Sequence, residues 1–175
     1  LTLDRWGFSP QTVTYLGTAI AIAGGWLVAE GNLFWGTVVF LIGSAFDMLD
    51  GDLARMQGKA SRRGAFLDSC FDRISEAFVF AGLTWYYAGL PADDRWPLVF
   101  VMGTAIGSLT TSYVKARAEG LGETCQVGLL QRTERVVILT VGMLLGRWIL
   151  GPVLVFLTIA TLATTESDGN PGLEA

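Results

Sequence analysis

Apolar residues in this chain fall into long blocks, and that arrangement limits the fold more than any other feature. Six blocks follow one another: Thr12–Ala29, Leu33–Met56, Phe66–Leu90, Trp96–Val114, Leu129–Leu145 and the shorter Trp148–Ala163. Several approach the ~20 residues that a helix needs to cross a bilayer. In lipid every backbone N–H and C=O must be paired inside its own segment, so the blocks predict helices and not strands. The expected fold class is all-α: a polytopic membrane protein of six transmembrane helices, forming one domain over residues 1–165 with a polar tail at 166–175. The chain is 51% hydrophobic over 175 residues, with a mean hydropathy of +0.48, and the six blocks leave no room for a second domain.

The first block lacks the basic start and small-residue cleavage site of a removable signal peptide, and Leu1–Pro10 before it is polar and aromatic. The chain opens on Leu and not Met, so some sequence ahead of it is expected. The net charge of −4 matters less than where the charges fall. Six crossings put both termini on one side with the second and fourth loops. That side carries Arg5, Arg55, Lys59, Arg62, Arg63, Lys115, Arg117, Arg132 and Arg135. The other side carries Arg95 and Arg147, while Arg73 falls inside the third helix. Nine cations against two predict cytoplasmic N- and C-termini in a multi-pass cell-membrane protein. Cys70, within a helix, and Cys125, in a cytoplasmic loop, read as reduced thiols and not as a disulfide framework. Histidine is absent altogether. That excludes imidazole acid–base catalysis, Ser-His nucleophiles and His-ligated zinc. Chemistry here must use carboxylates, cations, hydroxyls and oxygen-preferring metals.

Carboxylates concentrate where the blocks turn polar. Asp47, Asp50 and Asp52 lie in the last third of the second helix; Asp68, Asp72 and Glu76 lie in the first turns of the third. An ionisable group inside a transmembrane segment costs ~3 kcal/mol on insertion, which makes it a functional candidate by default. A single acid could merely meet water at a helix end. Spacing argues against that for the set. Asp47 and Asp50 stand at i, i+3, and Asp68 and Asp72 at i, i+4, so each pair shares a helix face. The link from about Gln57 to Arg63 is short enough for an antiparallel hairpin. At about 1.5 Å per residue, Asp47 and Asp72 then lie at matched depths of roughly 12–13 Å, with Asp50 and Asp68 one turn nearer the cytoplasm. Two like charges about 4 Å apart repel by about 4 kcal/mol at an effective dielectric of 20. Either some of the carboxylates are protonated or cations neutralise them. Two divalent cations would balance four such carboxylates, and the all-oxygen ligand set suits Mg²⁺ or Mn²⁺, which is the preferred reading. Asp52 points about 200° away from Asp50 around the helix and fits a solvated residue or a partner for Arg55. Glu76 shares the face of Asp72 but lies deeper, and its role is open.

Small and basic residues alternate with the acids. Gly51 follows Asp50, where a missing side chain lets a bulky ligand approach the backbone. Ala54 continues that face, Gly64 opens the third helix, and Arg55 is a fork donor suited to phosphate. Helix packing would also select glycine in a membrane, but it does not account for this alternation. The whole stretch reads Asp47-x2-Asp50-Gly51-x2-Ala54-Arg55-x8-Gly64-x3-Asp68-x3-Asp72. It resembles the signature of the CDP-alcohol phosphotransferase family at every fixed position and both long spacings. The resemblance implies that Asp47, Asp50 and Asp68 are metal ligands to a pair of ions, and that Asp72 is both ligand and general base. It implies that Gly51, Ala54 and Arg55 contact a CDP moiety, joined by Ser61. The stretch Gln11, Thr12, Val13 and Thr14 resembles the family's further nucleotide-contacting segment.

Ser112, Lys115 and Arg117 end the fourth helix, and Arg132 and Arg135 open the fifth. Each cation alone satisfies the positive-inside rule; together Ser112, Lys115, Arg132 and Arg135 would make a basic pocket for a phosphorylated acceptor. The stretches Ser112–Glu119 and Gln131–Arg135 resemble the prokaryotic phosphatidylinositol phosphate synthase branch of the family, which implies inositol 1-phosphate as acceptor. Glycerol 3-phosphate would meet the same charge requirement. The expected partners are CDP-diacylglycerol, inositol 1-phosphate, membrane lipids and a second copy of the chain, with no nucleic acid. Two rivals stand further off. A UbiA-like prenyltransferase shares Asp68-x3-Asp72 but not Gly51 or Ala54-Arg55. A cation transporter built on inverted repeats would repeat the acidic motif in the second half, and it does not.

Overall fold

The computed structural model describes the backbone of residues 10–56, 61–121 and 131–168, and the side chains within those ranges except at 10–11, 47–56, 62 and 164–168. Among the described residues the structure is helical and contains no strand. Six α-helices appear: α1 Pro10–Ala29, α2 Leu33–Met56, α3 Arg62–Ala88, α4 Pro97–Gly120, α5 Arg132–Leu144 and α6 Arg147–Asp168, with a 3-10 turn at Ala92–Asp94. They fall into two compact units, Leu1–Tyr86 and Tyr87–Ala175.

Helix boundaries depart from the apolar blocks where polar residues favour a helix. The third helix starts at Arg62, not Phe66, because Ser61 caps it: Ser61 Oγ accepts from Gly64 N–H at 3.1 Å. The fourth runs to Gly120, past Val114, since Lys115, Ala116, Arg117, Ala118 and Glu119 are strong helix formers. The fifth begins at Arg132, where the N–H of Gln131 donates to Glu134 Oε2 at 2.8 Å. Residues 129 and 130 of that expected helix lie outside the described residues. The sixth continues through Asp168, three residues into the segment expected to be a polar tail.

In the first unit, small residues let backbones meet. A Cβ on Gly24 would lie 2.7 Å from the Phe40 backbone N, and one on Gly43 would lie 2.6 Å from that of Ala21. These contacts set α1 and α2 as an antiparallel hairpin through the Glu30–Asn32 turn, where Gly31 adopts a φ of +85°. On α3, a Cβ at Gly82 would run into the Gly25 carbonyl of α1. Lower down, Tyr15 meets Phe71 edge-on with ring centroids 5.2 Å apart. Helices α1 and α3 therefore run parallel. Val13, Ala21, Val28, Phe40, Val79 and Leu83 fill the core.

In the second unit, α4 and α6 run parallel and close on Gly103 and Gly107, which face Thr158 and Thr161. Thr104 Oγ1 and Thr158 Oγ1 lie 3.0 Å apart, and Thr158 Oγ1 donates to Phe100 O at 3.0 Å. Helix α5 joins through Gly142 against Val153. The loop end is tied by Arg147 to Asp94 at 3.6 Å. Among the described residues most threonines bond their own helix: Thr18 Oγ1 donates to Thr14 O at 2.9 Å and Thr37 Oγ1 to Leu33 O at 2.6 Å. Such self-satisfied hydroxyls suit an apolar surrounding.

Two segments among the described residues are long and apolar enough to cross a membrane, Thr12–Ala29 and Ala92–Gly120; Leu33–Phe46 and Arg147–Ala163 are shorter apolar helices. The physical reason is plain in α2 and α3. The acids at 47–52 and 68–76 that mark the candidate site also cut short the apolar run. Helix α5, with 13 residues, is only about 20 Å long.

Candidate active site

Three helix segments meet at one end of the first unit. In the α1–α2 hairpin, Gly17 and Ala21 face Gly43 while Gly24 faces Gly36. The same register one turn further sets Thr14 level with Asp47 and Gln11 level with Asp50. The Tyr15–Phe71 contact sets the start of α1 level with the Asp68–Asp72 turn of α3. So the start of α1, the last third of α2 and the first turns of α3 share one level. All four signature aspartates lie on helical backbone there.

Asp68 and Asp72 are both half-buried on α3. Asp47, Asp50, Asp52, Gly51, Ala54 and Arg55 lie in the last third of α2, and Gln11 in the first turn of α1, but their side chains are outside the described residues. Thr12 is exposed, Thr14 is 8% exposed, and the Val13 side chain belongs to the core at 4%. Ser61 is exposed and caps α3 through its Oγ, leaving its O–H free to donate elsewhere. Sequence reasoning left Glu76 open and passed over Ser75. Glu76 is 6% exposed and Ser75 is 2% exposed. Their positions, three and four residues after Asp72, were the available signal.

In the second unit, Ser112 is half-buried and Lys115 exposed near the end of α4, while Arg132 is half-buried in the first turn of α5. Arg135 is only 3% exposed, which is unusual for a guanidinium and separates it from an ordinary surface cation. Ser108 and Thr111 on α4 are likewise buried, at 3% and 2%. Neither was singled out from sequence, since hydroxyls at helical spacing also satisfy themselves, as Thr111 does on Gly107 O at 2.8 Å.

The donor set decides which metals fit. Among the described residues no three acids, cysteines or histidines converge on one point. Asp68 and Asp72 supply two carboxylates on one face of α3, with only oxygen to offer. Mg²⁺ and Mn²⁺ bind through one or two carboxylates plus substrate phosphates, so the pair suits them and does not suit zinc.

A family model, CDP-alcohol phosphatidyltransferase, matches residues 8–165, spanning both units. The chain belongs to that family. Among curated relatives, it is 39% identical over 168 residues to the phosphatidylinositol phosphate synthase of Mycobacteroides abscessus, covering 93% of this chain and 76% of the relative. It is 44% identical over 138 residues to the synthase of Streptomyces avermitilis, covering 78% of this chain and 56% of that one. The crystal structure of Mycobacterium tuberculosis phosphatidylinositol phosphate synthase with CDP-DAG bound superposes with a TM-score of 0.91 at 34% identity, covering 99% of this chain and 94% of that one. The same enzyme in complex with manganese and citrate gives a TM-score of 0.92 at 34% identity, covering 99% of this chain and 89% of the other. Among its described residues this phosphatidyltransferase is helical, and the complete aspartate signature lies on α2 and α3.

Proposed function

We propose that this chain transfers the phosphatidyl group of CDP-diacylglycerol to inositol 1-phosphate, releasing CMP and forming phosphatidylinositol phosphate. What supports this best is the common level of the signature-bearing segments of α2 and α3 along α1, at one end of the first unit, in a chain 34% identical to a synthase solved with CDP-DAG bound. Asp72 takes the proton of the acceptor hydroxyl. The acceptor oxygen forms a bond to the β-phosphorus as the bond to the CMP oxygen breaks, and CMP leaves with the electron pair. Asp47, Asp50, Asp68 and Asp72 would hold two divalent ions, Mg²⁺ or Mn²⁺, which when bound would supply positive charge to offset that on the pyrophosphate and the leaving CMP. Gly51, Ala54, Arg55 and Ser61, with Gln11, Thr12, Val13 and Thr14, line the CDP side; Ser112, Lys115, Arg132 and Arg135 hold the acceptor's phosphate.

The chain is one domain of six membrane crossings with both termini in the cytoplasm, and the site lies near that face of the cell membrane. Cation asymmetry supports this, and so does the placement of tryptophan. Trp26, Trp35 and Trp85 are exposed at the end of the first unit away from the aspartates. Trp96 and Trp148 are exposed together at one end of the second, as residues at a membrane interface are. A homodimer follows from family resemblance. Gly24, Gly25, Gly36, Gly43 and Gly82 lie against helices of the first unit, and Gly103, Gly107 and Gly142 against helices of the second.

An acceptor competition tests the assignment. Purified enzyme supplied with CDP-diacylglycerol, inositol 1-phosphate and glycerol 3-phosphate should release CMP and consume the inositol phosphate. Preference for glycerol 3-phosphate would make this a phosphatidylglycerophosphate synthase with the same metal chemistry. No CMP release with either would refute the reaction.

A further inference from the structure

The deep end of the acidic face on α3 holds two polar side chains that the signature does not use. Glu76 is 6% exposed, and Ser75 is 2% exposed with no hydrogen-bond partner for its Oγ among the described residues. At about 100° per residue, Ser75 lies within ~20° of Asp68 around the helix and Glu76 about 40° from Asp72, so all four share one sector. Ser75 stands about 4.5 Å and Glu76 about 6 Å deeper along the helix than Asp72. A buried hydroxyl without a partner is unfavourable, and native structures keep few of them without a use. Thr18 on α1, at the same level, shows the ordinary solution: it donates to Thr14 O at 2.9 Å.

An inositol phosphate presents two kinds of group to a protein. Its phosphate needs cations, and its ring hydroxyls need acceptors. Lys115, Arg132 and Arg135 can only donate, whereas a carboxylate offers about four acceptor sites and a serine hydroxyl can both donate and accept. Burial makes such contacts selective, because bulk water competes poorly for them. We propose that Glu76 and Ser75 contact ring hydroxyls of a polyol acceptor whose reacting hydroxyl sits at Asp72, and so favour a cyclic polyol phosphate over a smaller phospho-alcohol. This rests on the acceptor assignment made above.

The test separates the two. Wild-type enzyme is first assayed with inositol 1-phosphate and with glycerol 3-phosphate. Use of glycerol 3-phosphate alone would remove the acceptor assignment and this proposal with it. If inositol 1-phosphate is used, Glu76→Gln, Glu76→Asp and Ser75→Ala are compared with wild type. The readouts are steady-state kinetics and calorimetric binding of inositol 1-phosphate in the presence of CDP. Glu76→Gln should raise the acceptor KM by ~tenfold, the loss of one charge-assisted hydrogen bond, with the CDP-diacylglycerol KM held within about twofold. Acceptor binding should weaken in parallel, and Glu76→Asp should recover part of it. Ser75→Ala should shift the acceptor KM in the same direction by a smaller factor. It removes only one buried hydroxyl, so it keeps the test open should Glu76→Gln fail to fold. A loss of kcat with acceptor KM and binding unchanged would make the pair a support for Asp72 and overturn the proposal. Variants indistinguishable from wild type would overturn it equally.

Discussion

Gly82 sits where α3 presses hardest on α1, and replacing it links packing to catalysis. A Cβ added there would run into the Gly25 carbonyl, lying also 3.1 Å from the Gly25 carbonyl carbon and 3.3 Å from Val28 Cβ. The obstacle is backbone, so no rotamer change relieves it, and the helices must part by several tenths of an ångström or more. Overpacking of this kind costs ~1–3 kcal/mol. For a chain of this size each kcal/mol corresponds to roughly 2–4 °C in melting temperature, so Gly82→Ala should melt ~2–12 °C lower. The same displacement is carried down α1 and α3 toward Thr14 and Asp72, and misplacement of about 1 Å can cost up to 10²-fold in turnover. Gly120→Ala is the matched control: Gly120 is exposed at the end of α4 and a Cβ there meets nothing within 4 Å. It should melt at or slightly above the wild-type temperature. Differential scanning fluorimetry in detergent measures both, and CMP release measures turnover. Equal melting temperatures for Gly82→Ala and Gly120→Ala would refute the close crossing of α1 and α3.

Other outcomes follow from the site. Activity should vanish in EDTA and return with Mg²⁺ or Mn²⁺; full CMP release in chelator would rule out the metal assignment. Asp72→Asn should keep CDP-diacylglycerol binding better than Asp47→Asn yet lose at least ~10²-fold in turnover, the low end for loss of a general base. Arg135→Gln should raise the acceptor KM ~ten- to a hundredfold with donor binding little changed, as expected from a charge-assisted contact of ~1.5–3 kcal/mol. Equal effects on donor and acceptor would return Arg135 to a structural part, which its burial at 3% would also permit.

The sequence alone determined the helical class, because unbroken apolar blocks near the length of a membrane-spanning helix pair their backbone groups within each segment, without the alternation a barrel strand needs. It determined the α2 bounds, Leu33–Met56, without error. It also determined which carboxylates share a face, since Asp68 and Asp72 at i, i+4 are neighbours on any helix. Helix ends were legible only in part. Hydropathy marks where a segment stops being apolar, whereas the Ser61 cap and the Lys115–Glu119 extension follow hydrogen bonding and propensity. Tertiary structure alone decided what lies level with what. That Thr14 stands at the height of Asp47 depends on which glycines meet across α1 and α2, and nothing in the spacing of Gly17, Gly24, Gly36 and Gly43 names their partners. Burial needed the fold as well. Glu76 and Arg135 look like any other helix charges in one dimension, and only packing on several sides withdraws them to 6% and 3% exposure.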